Sequence, residues 1–358
     1  MKIVNKKNKK AFTLIELLVV IAIIGILTAL AVVSLQNSRR SARDAKRLAD
    51  VKQLQIALEL YYQDNSNYPS TLLPGDTLAS NSITYMETIP YPPTIIDGDC
   101  STSSYTYSTS NDQSYYNIHF CLSNSIGSLP AGEVVASPRG LGTWTCGERL
   151  LDERDNQSYA TVQIGSQCWM AENLNIGTRI ESNNTSTKNS IIEKYCLNNV
   201  ENNCNIYGGL YQWDEAMKYD ENNAQGICPD GWYIPTWNEI NNIASFLSLP
   251  SNSQYQCGGN PAYISKSLAS ASGWNSSVVI CAVGNNQSTN NTTGFSALQS
   301  GYRQWNSGGF GGGELPFWSS TSYLSDKAYY RRIHYLYNVL DGSTISRSYG
   351  IAVRCLKN

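Results

Sequence analysis

The chain has 358 residues, of which 41% are hydrophobic and only 15% charged, with 24 Tyr, 27 Gly and 10 Cys. Its length predicts two domains and its apolar content suffices for a core, while charge below the roughly 25% of an average domain suits an exported surface protein. Setting aside Lys2, Lys6, Lys7, Lys9 and Lys10 leaves 21 basic against 28 acidic side chains, a balance that repels nucleic acid, and ten cysteines, all beyond residue 99, fit a disulfide framework and argue against a cytosolic enzyme.

Residues 14–33 are apolar except for Glu16 and Thr28, and at about 1.5 Å per residue they can span the bilayer as a helix. The lysines before this run, with no basic residue after it until Arg39, place the start in the cytoplasm and the remainder outside. A secretory signal has a shorter apolar core and a small-residue cleavage site beyond it; here Ser38-Arg39-Arg40-Ser41 continues into further helix. A carboxylate inside such a span costs about 2.5–3.5 kcal/mol, so Glu16 calls for a partner or a task.

The string Lys10-Ala11-Phe12-Thr13-Leu14-Ile15-Glu16-Leu17-Leu18-Val19-Val20-Ile21-Ala22-Ile23-Ile24-Gly25 resembles the class III signal of type IV prepilins and type II secretion pseudopilins. That resemblance implies a cut between Ala11 and Phe12 by a prepilin peptidase, leaving residues 1–11 as a leader. It also implies N-methylation of Phe12, and a Glu16 that neutralises the terminal amine of a neighbouring pilin subunit during filament assembly. A buried carboxylate and ammonium are each costly alone and less so as a pair. Ala11 stands where the family prefers Gly.

Past Val33 the pattern turns amphipathic, with Leu48, Val51, Leu54, Leu58 and Tyr61 at three- or four-residue spacing. One stem helix is expected over residues 12–63, its membrane span at 14–33. Arg39, Arg40, Arg43, Lys46 and Arg47 raise the question of a DNA or lipid contact, but the interspersed Asp44 and Asp50 favour a solvated, filament-packing face. Asn67-Tyr68-Pro69 stops the helix. Alternation at Tyr105 and Tyr107, then at Tyr116, Ile118 and Phe120, predicts a hairpin that Cys100 and Cys121 staple. Residues 64–128 thus read as a small antiparallel sheet of pilin type, and 129–145, rich in Gly and Pro, as a linker.

From 146 to 358 the chain is dense in Trp, Gly, Asn and Cys. Its strings include Trp169-Met170-Ala171-Glu172-Asn173-Leu174-Asn175, Tyr207-Gly208-Gly209, Cys228-Pro229-Asp230-Gly231-Trp232, Gly294-Phe295-Ser296-Ala297-Leu298, Phe317-Trp318-Ser319 and Val353-Arg354-Cys355. Together they resemble the Fibrobacter succinogenes major paralogous domain, for which no activity carries over. A weaker resemblance, to C-type-lectin-like and formylglycine-generating-enzyme-like domains, implies a mixed α/β domain whose ends are tied by Cys228 and Cys355. Proximity then pairs Cys146 with Cys168, Cys196 with Cys204, and Cys257 with Cys281, among about 945 arrangements open to ten cysteines. The fold class expected for the whole chain is α+β.

Catalytic chemistry is hard to assemble from these residues. The only histidines, His119 and His334, fall in different domains, and no Cys-x-x-Cys occurs, so neither a zinc site nor a catalytic triad is expected, and no cofactor. Asp152, Glu153, Asp155 and Asn156 are oxygen-rich but lack EF-hand spacing, which favours a solvated acidic loop over a calcium site. Tyr302, Trp305 and Trp318, near the Gly-rich stretch 308–313, are the expected sugar-stacking residues. The function expected is a minor or tip subunit of a pilus-like filament, held by one span in the cytoplasmic membrane before assembly at the surface, displaying a glycan- or surface-binding domain. The rival is a structural pseudopilin of a type II secretion system.

Overall fold

The computed structural model describes residues 14–98, 100, 102–222 and 225–358; Ala11 and Phe12, the expected processing site, lie outside them. The fold is α+β, with two compact units: residues up to Tyr107 together with Asn117–Thr143, and Ser108–Tyr116 together with Trp144–Asn358.

The first unit begins with helix α1, Leu14–Asn65. Its large apolar side chains from Leu14 to Leu35 are exposed, along a run long enough to cross a membrane. Farther along, Asp44, Arg47, Val51, Leu54 and Leu58 are buried at three- or four-residue spacing, the stripe a helix needs to pack on one side. Two of these are charged, which corrects the expectation of a solvated face. Asp44 accepts the Ser123 N–H at 3.0 Å, the Ser123 hydroxyl at 2.6 Å, two N–H groups of Asn124 at 3.1 Å and Arg47 at 2.8 Å. Arg43 places two nitrogens on Asp97, each at 2.6 Å. The charges belong to the unit's own fastening, because loop 92–98 and Ser123 bring partners that local sequence does not reveal.

Beyond Pro69, strands β1 (Leu78–Ser80) and β2 (Ile83–Met86) form a tight hairpin. Asn81 and Ser82 both have positive φ there, as a turn matching the strand twist requires. A second sheet holds β3 (Thr106–Thr109), β4 (Tyr116–Leu122), β5 (Gly132–Ser137) and β6 (Gly140–Gly142), in that order. The stretch expected to be a linker therefore carries two strands. Its alternation was hidden by small residues: Val134 and Ala136 are fully buried while Glu133 faces solvent.

In the second unit, β7 (Leu150–Asp152) and β8 (Gln157–Tyr159) make a hairpin across the acidic run, where Arg154 binds both oxygens of Asp152. Next come β9 (Thr161–Ile164), β10 (Gln167–Met170), the short parallel pair β11 (Thr178–Arg179) and β12 (Glu193–Lys194), then helices α2 (Glu201–Tyr207) and α3 (Trp213–Ala216). Strand β13 (Trp232–Tyr233) precedes helix α4 (Trp237–Leu247), whose Thr236 and Glu239 form a reciprocal capping box. The remainder is helix α5 (Ser265–Leu268), β14 (Tyr302–Arg303), β15 (Phe310–Gly311), the long strands β16 (Glu314–Ser322), β17 (Lys327–His334) and β18 (Asp341–Ser346), and finally β19 (Leu356–Lys357).

Two sheets organise this unit: antiparallel β16-β17-β18, and β13-β19-β10-β9, where the last strand of the chain lies between β13 and β10. Successive strand residues point to opposite faces, so each strand feeds two cores. Met170 and Trp318 join Trp213 and Trp232 in one, whereas Trp169 and Phe317 join Phe295 and Trp274 in the other. Five disulfides link Cys100 to Cys121, Cys146 to Cys168, Cys196 to Cys204, Cys228 to Cys355 and Cys257 to Cys281. These are the pairs put forward from the sequence.

Candidate functional site

A cavity of about 320 Å³ opens in the second unit. It is lined from β8 (Gln157, Tyr159), from the turn after β10 (Glu172, Asn173, Asn175), from α2 (Cys204, Asn205, Ile206, Tyr207), and by Ser296, Leu298 and Arg354. Four strings singled out in the sequence therefore meet at one place, although the first and last are separated by some 180 residues of chain.

Close backbone contact makes the meeting possible. Gly208 has φ +82°, and a Cβ there would lie 2.5 Å from the Asn173 Cβ, so any side chain would force the end of α2 away from the cavity. Asn173 donates its amide to the Tyr207 carbonyl at 2.7 Å, and the Gly209 N–H donates to Leu174 at 2.9 Å. The Cys196–Cys204 disulfide ties α2 to the segment that precedes it.

Arg354 is the most deeply buried charge in the lining, at 1% exposure. Its Nε donates to Asn173 Oδ1 at 2.7 Å, its Nη1 to the Phe295 carbonyl and its Nη2 to the Ser296 carbonyl at 3.3 Å. The guanidinium also lies 4.2 Å from the centre of the Phe295 ring. Burial pushes its pKa down, with the Glu172 charge opposing, yet an arginine remains a cation at neutral pH. Arg149 donates to Ser158 Oγ at 3.0 Å and to the Ser158 carbonyl at 2.6 Å, and pairs with Glu172 at 3.4 Å. Glu172 in turn accepts the Ala160 N–H at 2.8 Å. Behind Asn175 stands Lys194, donating to its carbonyl at 2.6 Å and its side-chain oxygen at 2.8 Å, with a pKa lowered by burial.

The residues expected to stack on sugar are arranged otherwise. Trp318 is fully buried and donates Nε1 to the Tyr211 carbonyl at 2.7 Å, so neither ring face reaches a ligand. Tyr302 is partly buried and leans on Tyr349, ring centres 6.0 Å apart. Trp305 is 53% exposed between β14 and β15. His119 pairs with Glu133 at 2.6 Å in the first unit, and His334 stacks with Tyr335 and Tyr337 in the second. Among the described residues, no group of three His, Cys, Asp or Glu side chains is disposed to hold a metal ion. Glu16 occupies the first turn of α1.

In the sequence the cavity residues stand only as parts of a domain's architecture. Arg354 carried the usable signal: a charge between Val353 and Cys355, in an otherwise apolar stretch, needs internal partners just as Glu16 does.

A prokaryotic N-terminal methylation motif matches residues 6–32, and the Fibrobacter succinogenes major domain matches residues 162–357. No curated protein and no solved structure matches the chain. The methylation motif, followed by a helix apolar enough for a membrane, supports a pilin- or pseudopilin-type surface subunit, processed by prepilin peptidase and assembled with other pilins. With more than half of its length matched, the chain belongs to the Fibrobacter succinogenes major domain family, its domain mounted behind a pilin-type N-terminus.

Proposed function

We propose that the chain is a minor or tip subunit of a type IV pilus-like filament whose second unit captures a ligand for attachment and does no chemistry on it. What supports this reading is the cavity, lined by polar and apolar groups alike, on which four separated strings converge. Binding suits its lining better than catalysis. Cys204 is closed in a disulfide, Ser158 is engaged by Arg149, and no histidine lines the walls to serve as a base. The second unit is also the larger of the two. Repeating so large an appendage at every position would crowd a shaft, whereas a subunit used sparingly or at the end carries it without conflict.

Shed filaments decide between this role and that of a secretion pseudopilin. Immunogold labelling and mass spectrometry of sheared filaments are expected to find the chain in low copy, and its deletion to reduce attachment while filaments still form. A chain that stays with the cell envelope, with attachment unchanged in the deletion strain, supports the pseudopilin role instead.

A further inference from the structure

We propose that the cavity between β8, α2 and Arg354 binds a pyranose bearing one carboxylate, a sugar of the hexuronic acid class, with the carboxylate facing the Arg354 guanidinium. The proposal rests on the reading of the second unit as a ligand-capturing module and names the chemistry it captures.

Charge comes first. Among the described residues the Arg354 guanidinium makes three side-chain hydrogen bonds, none of them to a carboxylate, while a guanidinium carries five N–H donors. All three acceptors are neutral oxygens. A buried cation held only by dipoles gains most from an anion that reaches it, because attraction is strongest where water is excluded. The other charges in the lining, Arg149 and Glu172, already pair with each other. One positive charge is thus left over, which matches a single negative charge. Glu172, whose field already reaches Arg354, disfavours a second one, and this sets a carboxylate ahead of a phosphate dianion.

Size and lining point to a sugar ring. About 320 Å³ lies at the small end of ligand sites, room for one ring and not for a folded peptide segment. Asn205 brings an exposed amide, while Gln157, Asn173, Asn175 and Ser296, each already bonded within the unit, are held in place and keep only a second N–H or lone pair for a sugar hydroxyl. Tyr207 and Leu298 add the apolar surface that the C–H face of a pyranose covers.

The test uses the full chain in detergent micelles, titrated by calorimetry and saturation-transfer NMR with glucuronate, galacturonate, glucose, galactose and inorganic phosphate. The uronates are expected to bind at least tenfold tighter than the parent sugars and phosphate. Asn205→Trp, at an exposed position on α2 beside the cavity, is expected to abolish that binding with the circular dichroism unchanged. Arg354→Lys, if folded, is expected to lose the preference for the acid. Equal affinity for glucose and glucuronate overturns the role of the carboxylate, and equal affinity for phosphate reduces the site to a simple anion hole. Failure of every sugar to bind, or binding that survives Asn205→Trp, overturns the site while leaving filament attachment to stand on its own test. A chain that binds uronate but never reaches shed filaments refutes the filament role and not the site.

Discussion

Arg354 Nε and Asn173 Oδ1 meet at 2.7 Å, joining positions 181 residues apart. The same Asn173 donates to the carbonyl of Tyr207, the last residue of α2. One amide therefore holds both the buried cation and the helix that walls the cavity. Asn173→Ala removes an acceptor from a charged donor and a donor from a buried carbonyl, so it is expected to cost about 2–3 kcal/mol. Denaturant melts of the full chain followed by tryptophan fluorescence check this; a loss below 0.5 kcal/mol, roughly the range of a neutral surface change, contradicts it.

The first unit is expected to lose stability in acid. Burial alone would raise the carboxyl of Asp44, but hydrogen bonds from Ser123, Asn124 and Arg47 outweigh it and hold the pKa below the ordinary value. Asp97 is lowered as well, chiefly by its hydrogen bonds from Arg43. A carboxyl depressed in the folded state contributes stability above its unfolded pKa, about 3.9, and that contribution drains away as pH falls through the folded value. Limited proteolysis of residues 92–98 should therefore stay flat from neutrality to about pH 4 and accelerate below it. Asp44→Ala, which leaves Arg47 buried with the Ile95 carbonyl at 2.7 Å and the more distant Asp97 at 3.6 Å, is expected to cost about 3–5 kcal/mol at neutral pH.

How much of this was legible depended on whether a residue's partners were local. The apolar run after Phe12, the heptad-like stripe from Val51 to Leu58 and the helix stop at Pro69 all follow from neighbours in sequence. The disulfide pairs were reachable because four of the five join cysteines 24 or fewer residues apart, and family likeness supplied Cys228 with Cys355. Asp44 with Ser123, and Arg354 with Asn173, join positions 79 and 181 residues apart. Nothing near Asp44 distinguishes it from Asp64, which lies on the exposed end of α1. Trp318 departs from the expectation for the same reason. Aromatic side chains beside a Gly-rich loop look alike whether they face the core or a ligand, and only the strand register decides.

Processing and assembly give a prediction at the N-terminus. Mass spectrometry of the exported chain is expected to find methylated Phe12 as the first residue; an intact Met1 contradicts the reading of residues 1–11 as a leader. Glu16→Ala is expected to enter the membrane more easily, since a carboxylate in the span costs about 2.5–3.5 kcal/mol, yet to be depleted from filaments at least several-fold. Wild-type incorporation of that variant, measured by quantitative blotting of sheared fractions, removes the assigned role of Glu16.

Disulfide loss should divide by loop length. Cys228 and Cys355 are 127 residues apart, so replacing both by Ser is expected to destabilise the second unit by about 4–5 kcal/mol. Replacing Cys196 and Cys204, separated by 8, is expected to cost about 2–3 kcal/mol. The smaller loop ends at Cys204 inside α2, which lines the cavity, so its loss should also speed hydrogen exchange in α2 beyond the change elsewhere. Equal costs for the two pairs would show that native-state packing, not chain closure, governs the effect.

Trp305 and Trp318 make the sharpest contrast in the second unit. Trp318 is fully buried, packs with Trp213 and Trp232, and satisfies the Tyr211 carbonyl through its ring N–H. Trp318→Ala opens a large cavity in that core and removes one of the two hydrogen bonds on the Tyr211 carbonyl, which keeps the Ile351 N–H at 3.1 Å, so it should cost about 3–5 kcal/mol, chiefly through the cavity. Trp305, half exposed between two short strands, can be removed for about 0.5 kcal/mol or less. If Trp305 nonetheless meets a surface ligand beyond the cavity, Trp305→Ala should weaken attachment by about 1–3 kcal/mol with the melting temperature unchanged. Measuring stability and attachment on both variants separates the cases. A stable Trp305→Ala chain that attaches normally confines recognition to the cavity, whereas one that unfolds shows that the turn between β14 and β15 is part of the packed structure.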